Sequence, residues 1–250
     1  MNLEKTSGLP LKLAGKMLCI DGARLKPDVR TIDDMKPVFL HKTKKSGASY
    51  LMYRRVCKKP DRTLFIKNNV RYDITVILPF TVGNEYNKTF GHYHAVHKKA
   101  TYPEIYEVLR GSAHFIIQSK LRGKDVDDVA VIKAVAGDAV IVPHDYAHVI
   151  INTTKNSAVV SNLVSDKFKN DYTTFTKLHG AAYYETTRGF MKNKNYAAVP
   201  KIRVLKAGRI KKNFFNSNEP MYKIFTASPE KFEFLNEPEK YQKKMMKAIF

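Results

Sequence analysis

Residues 89–111 read TFGHYHAVHKKATYPEIYEVLRG and hold three of the chain's eight histidines, then a glutamate, a tyrosine and a closing glycine. Side chains two apart on an extended strand point to the same face, so His92 and His94 present two imidazoles side by side, as a metal-ligand pair does. After a nine-residue connection comes EIYEVLRG, a second strand. Here Glu104, Tyr106 and Val108 share one face, while Ile105, Glu107 and Leu109 share the other. Only one of the two glutamates faces the histidines, and alternation alone does not say which. A third imidazole comes from GDAVIVPHDYAHVIIN, residues 137–152, where His148 lies in a strand after a turn region marked by Gly137 and Pro143. Three imidazoles and one carboxylate make a mixed nitrogen and oxygen donor set suited to one divalent ion, Fe(II), Mn(II), Ni(II), Zn(II) or Co(II), with positions left open for substrate or water. A lone His-x-His is an ordinary surface or core feature. The weight therefore falls on the residues around it.

Outward from this stretch, residues 48 to 165 form a series of short apolar, β-branched and aromatic runs: SYLMYRRV, RTLFIK, YDITVILPF, EIYEVL, AHFIIQ, VAVIKAV, DAVIVP, HVIINT and AVVSNLV. Turn formers such as VGN, LRGKD, AGD and TKNS separate them. Many short strands at even spacing predict an all-β antiparallel sandwich or barrel rather than a βαβ fold. Residues 1–45 read as an N-terminal arm covering an edge, with RTIDDM a short segment stopped by Pro37. Residues 46–200 read as the barrel domain, its last part (166–200) as loops with local structure. Residues 201–250 read as a basic C-terminal extension with helical pieces, PEKFEFL and PEKYQKKMMKAIF, each after a proline.

The formal charge of +21 invites a nucleic-acid reading. Its distribution argues against one: 33 lysines and 11 arginines are spread over the whole length, with no basic stripe interleaved with stacking aromatics. Two cysteines, Cys19 and Cys57, match no zinc or redox spacing, so a reducing cytoplasmic setting is expected. No run is long and apolar enough for a signal peptide or a membrane anchor.

The two histidine segments resemble the paired motifs of the cupin superfamily, which implies a jelly-roll, or double-stranded β-helix, barrel with a metal between the motifs. The second segment keeps the spacing Gly137, Pro143, His148, Asn152. It departs at Asp145, where the usual residue is glycine, and the first motif has a long gap between histidine and glutamate. The family's glutamate lies seven positions before the glycine that here is Gly111, which selects Glu104 over Glu107. More narrowly, ITVILPFTVGNEYNKTFGHYHA, EIYEVLRGSAHFIIQ and GDAVIVPHDYAHVIIN resemble the cupin-type glucose-6-phosphate isomerases over about residues 29 to 172.

That resemblance implies His92, His94, Glu104 and His148 as metal ligands, with iron(II) the leading expectation. It implies Thr75, Thr89 and Gly91 as the phosphate cradle, and Tyr50, Tyr106 and Tyr172 as hydroxyls lining a sugar pocket. Asn170 stands where family members carry a histidine that contacts the sugar. Glu104 is the candidate base for proton transfer between C2 and C1, while a hydride shift would need no base; the sequence leaves both open. His97 and His144 read as neighbours of the ligands, and His41, His114 and His179 as having no role. A sugar-phosphate substrate, with mannose 6-phosphate a possible second one, and a homodimer paired through edge strands are expected. The rival readings are an oxygen-activating metal cupin, which would not require the threonine-rich strand, and a non-catalytic sugar-binding cupin, against which intact ligands argue.

Overall fold

The computed structural model describes residues 1–208 and 210–249, with the side chains of His97 and Ile249 outside the described set. Numbered along the chain, the strands that build the site are β1 (Asp28–Thr31), β2 (Ala48–Tyr53), β3 (Val70–Ile77), β4 (Tyr93–His94), β5 (Glu104–Arg110), β6 (Ser112–Ser119), β7 (Val129–Val135), β8 (Ala139–Val142), β9 (Tyr146–Ile151), β10 (Ala158–Ser165), β11 (Asn170–Asp171) and β12 (Arg203–Lys206). One sheet runs β8-β5-β10-β3-β2-β1, the other β9-β6-β7-β12. The segment leading into β4 lies along the free side of β9, through hydrogen bonds from Thr89 N to Ile150 O and from His148 N to His92 O. From β3 onward the chain crosses repeatedly between the two sheets, the winding of a jelly roll, which leaves few free edges. The molecule is thus an all-β cupin barrel, with β1 from the N-terminal part supplying an edge strand.

Alternation explains which side chains enter the barrel. On β3, Ile77 joins the interior core, while Tyr72, Ile74 and Val76 join a second core on the outer face. On β5, Tyr106 and Val108 point inward and Ile105 and Leu109 outward. The larger sheet is therefore covered on both faces, which is why β10 is buried at every position and reads as a continuous run rather than an alternating one. The outer cover comes largely from the C-terminal part: α2 (Ile210–Phe215), α3 (Met221–Ala227), the 3₁₀ segment Pro229–Leu235 and α4 (Pro238–Ile249). Phe215, Phe225, Phe232 and Phe234 are almost wholly buried there, Phe232 stacking on Phe215 and Phe234 and meeting Phe225 edge-on.

One expected strand is absent. RTLFIK forms the helix α1 (Arg62–Lys67), led in by the 3₁₀ turn Lys59–Asp61. Pro60 pre-sets the first turn, and Phe65 is drawn into the outer core against Phe225 and Tyr222, at ring-centroid distances of 4.5 and 5.6 Å. Ile66 is left in solvent. Tertiary packing of one ring outweighs the strand preference of three consecutive apolar residues.

Candidate metal centre and substrate pocket

The smaller sheet and the strand beside it bring the three imidazoles together, and the larger sheet brings the carboxylate. His92 and His148 face each other across an isolated antiparallel bridge, and His94 follows on β4. Their ring nitrogens converge: His92 Nε2 and His94 Nε2 are 3.1 Å apart, and Glu104 Oε2 lies 3.2 Å from His94 Nε2 and 3.5 Å from His148 Nε2. One donor atom from each of the four residues lies within 4.8 Å of the others. Two ligands about 2.1 Å from one ion and at right angles lie about 3 Å apart, so the cluster has the dimensions of a coordination shell.

The protonation states fit as well. A carbonyl only accepts, so His94 Nδ1 donates to Tyr102 O at 2.7 Å, which leaves its Nε2 free to ligate. Burial, reinforced by the other two imidazoles and by Arg54 and Arg71, holds the proton affinity of His92 well below the usual range. Burial likewise pushes His148 down to about 4, against the pull of Glu104. For Glu104, burial alone would raise the pKa, but hydrogen bonding to His94 and the charges of His148 and His94 bring it below the ordinary value. Neutral His92 and His148 and an ionised Glu104 are the forms that bind a divalent ion. Glu104 Oε1 accepts from Asn162 Nδ2 at 2.6 Å, which fixes the carboxylate plane from the far side.

The sequence model of the Glucose-6-phosphate isomerase (GPI) family matches residues 29–201. The chain belongs to that family.

As a GPI-family chain it is 26% identical over 161 residues to the glucose-6-phosphate isomerase of Thermococcus litoralis, across 61% of this chain and 76% of that protein. Solved structures that overlap it include oxalate decarboxylase from Lactobacillus farciminis, at 16% identity and a TM-score of 0.35 over 59% of this chain and 31% of that one. Vicilin from Solanum melongena overlaps at 11% identity and a TM-score of 0.37, over 52% and 32%. The chain spans about a third of the length of those two structures. Overlap so partial says nothing of activity.

The pocket beside the donor cluster gathers every residue that the GPI resemblance singles out for the substrate: Tyr50, Thr75, Thr89, Gly91, Tyr106, Asn170 and Tyr172, together with His92, Glu104 and His148. Thr75 points inward from β3. Thr89 is pinned to β9, its Oγ1 accepting from Ile150 N. Gly91 has φ +83°, and a Cβ there would sit 2.4 Å from the Phe175 ring and 2.6 Å from Val149, so no other residue fits without repacking. Tyr106 Oη lies 2.7 Å from His148 Nε2, Tyr50 Oη accepts from Phe90 N, and Asn170 Nδ2 donates to Tyr172 Oη. Asn170 also pairs with His94 across the β11–β4 ladder.

Asp145, in the place of the family's glycine, takes the left-handed conformation at φ +61°. Aspartate tolerates that region better than most residues. Hydrogen bonds from Asp145 N to Thr101 Oγ1 and from Thr101 N back to its carboxylate hold the turn. Among the other histidines, His144 contacts Asp145, His114 pairs with Glu185 at 2.7 Å, His41 meets Asn84 and His179 meets Pro37 O. The side chain of His97 lies outside the described residues.

Sequence reasoning passed over Arg54, Arg71 and Asn162, all of which line the same pocket. A signal for one of them was present: in RYDITVI, alternation places Arg71, with Asp73, on the face of Thr75, an unusual pair of charges for a strand so deeply buried.

Proposed function

We propose that this chain is a metal-dependent aldose–ketose isomerase interconverting glucose 6-phosphate and fructose 6-phosphate, the reaction of its family, in glycolysis and gluconeogenesis. The observation that carries the reading is the opening of a three-histidine, one-glutamate cluster into a pocket that also holds Thr75, Thr89 and Gly91. A divalent ion held by His92, His94, Glu104 and His148, iron(II) in this proposal, would polarise the C1 and C2 oxygens and offset negative charge developing there. Thr75 and Thr89 hydroxyls and the Gly91 backbone N–H receive the phosphate, which needs no Walker loop. Tyr50 and Tyr106, whose burial raises their pKa values, stay protonated and donate to the oxygens of the open-chain sugar, and the Tyr172 hydroxyl lines the same pocket. The Asn170 amide holds a sugar oxygen but cannot exchange a proton near neutral pH, so this position does not shuttle one.

Glu104 is the group within reach for moving a proton between C2 and C1. A specific observation favours a second route: Asn162 already occupies Oε1, and Oε2 faces the histidines. A carboxylate so engaged is a weak base, and a hydride shift needs no base at carbon, only passage of the O2 proton to O1. Proton NMR of glucose 6-phosphate turnover in D₂O decides both matters. Conversion to fructose 6-phosphate supports the isomerase. Deuterium on the sugar carbons indicates proton transfer, and its absence favours a hydride shift. An inert sugar phosphate together with oxygen uptake on other substrates would move the chain to the oxygenase reading.

The same proposal includes a cytoplasmic setting and a homodimer, to which β1 contributes its exposed edge with Val29 half in solvent. Size-exclusion chromatography with light scattering tests the dimer.

A further inference from the structure

The proposed phosphate cradle carries no formal charge, yet two guanidiniums, Arg54 and Arg71, line the same pocket. The sheet register says where they are. Arg71, Asp73 and Thr75 alternate along one face of β3, and Arg54 follows β2 one step beyond the Tyr53–Ile74 pair, level with Asp73. Across β10, Arg71 pairs with Val164 and Asp73 with Asn162. These pair in turn with Glu104 and Tyr106 on β5. Arg71 therefore stands level with the metal-binding carboxylate, and Arg54 level with Tyr106. Thr75 lies two to four residues along the strand from Asp73 and Arg71, a distance of about 7 to 13 Å.

Asp73, fully buried, holds the two guanidiniums side by side: its carboxylate accepts from Arg54 Nη1 and Arg71 Nε, each at 2.9 Å, and from Arg55 N. Two cations clamped on one buried carboxylate repel each other, a cost that the jelly roll does not itself require. The surrounding acids leave donors to spare. Asp166 takes Arg71 Nη1 at 3.3 Å but is shared with Arg55, and the exposed Asp28 comes only within 3.8 Å of Arg54 Nε. Arg71 Nη2 has no hydrogen-bond partner among the described residues, and Arg54 Nη2 meets the Met52 sulfur alone.

We propose that Arg54 and Arg71 form a second anion-recognition group, which reads negative charge at the C1–C2 end of a sugar phosphate whose phosphate lies at Thr75, Thr89 and Gly91. The proposal rests on the sugar-phosphate reading above. The ligand class is a six-carbon phosphate charged at both ends, as in a phosphorylated aldonic acid, in preference to one whose far end is neutral.

Calorimetric titration of the metal-loaded full chain with 6-phosphogluconate and with glucitol 6-phosphate tests it, for the wild type and for Arg54→Met, Arg71→Met and Arg54→Lys. Loss of a charge-assisted hydrogen bond predicts about tenfold weaker 6-phosphogluconate binding in each Met variant, with glucitol 6-phosphate unchanged and Arg54→Lys recovering part of the loss. Metal content and melting temperature of each variant show whether the fold survives. If a Met variant does not fold, Arg54→Gln and Arg71→Gln, which keep a polar side chain beside Asp73, give the same comparison. Equal weakening of both ligands, or of neither, overturns the proposal and leaves the isomerase reading standing. A wild-type chain that binds neither ligand overturns both.

Discussion

Glu104 and Glu107 stand three residues apart on one strand and do opposite work. Glu104 turns into the barrel toward the histidines, whereas Glu107 turns outward, where Lys211 Nζ and Met221 N donate to it at 2.7 and 2.9 Å. Burial pushes the Glu107 carboxyl up to about 7, against the pull of Lys211. A folded-state pKa above the unfolded value of 4.5 makes this group's contribution to stability greatest below pH 4.5, falling as pH rises through 7. Melting temperatures taken from pH 4.5 to 8 check this: wild type should lose stability relative to Glu107→Gln as pH rises, by up to about 3 kcal/mol. Metal content should be unaffected in that variant, while His148→Ala and His92→Ala lose the metal and activity together. Retained activity in metal-free His92→Ala protein would remove the metal from the mechanism. Alternation showed that the two glutamates part company, and the Gly111 spacing identified which one goes inward. The purpose of the other was unreadable, because Lys211 lies more than a hundred residues away.

Strands β2, β3, β5 and β10 were readable in the sequence because their outer faces are largely apolar, with Glu107 on β5 the one charged residue there. The polar row on the inner face was not, since Arg54, Asp73 and Asn162 come from three segments far apart in the chain and meet only through the register. Helix α1 misled for a related reason: Phe65 is claimed by Phe225, and no local pattern announces a partner 160 residues on. Asp145 looked like a flaw in the second motif, yet Thr101, from a segment the motif does not include, supplies the bonds that hold its turn. At the loop between Thr89 and His92 the chain has no latitude. Gly91→Ala forces a Cβ into Phe175 and Val149 at a positive φ, so it should cost a few kcal/mol of stability and abolish sugar-phosphate binding; thermal melts and titration with glucitol 6-phosphate check it.

The barrel and its C-terminal cover share one outer core, so residues 201–250, which we propose as an extension of the barrel domain, are expected to be needed for its stability. Phe234→Ala, far from the pocket, should destabilise the protein by about 3–5 kcal/mol through the cavity it leaves, measured by urea unfolding, without changing which sugar phosphates bind. Among the described residues no helix is long and apolar enough to cross a membrane. The charge of +21 fits a surface rich in solvated lysine, with two arginines lining the pocket where an anionic substrate would lie. The central claim is that the four-residue donor cluster drives sugar-phosphate isomerisation, and a coupled assay of fructose 6-phosphate conversion to glucose 6-phosphate tests it most directly. The assay is run before and after EDTA, with Fe(II), Mn(II), Ni(II) and Zn(II) then added back one at a time. Activity that EDTA removes and one of these ions restores is the predicted result. No turnover in folded, metal-loaded protein with any of them would contradict it.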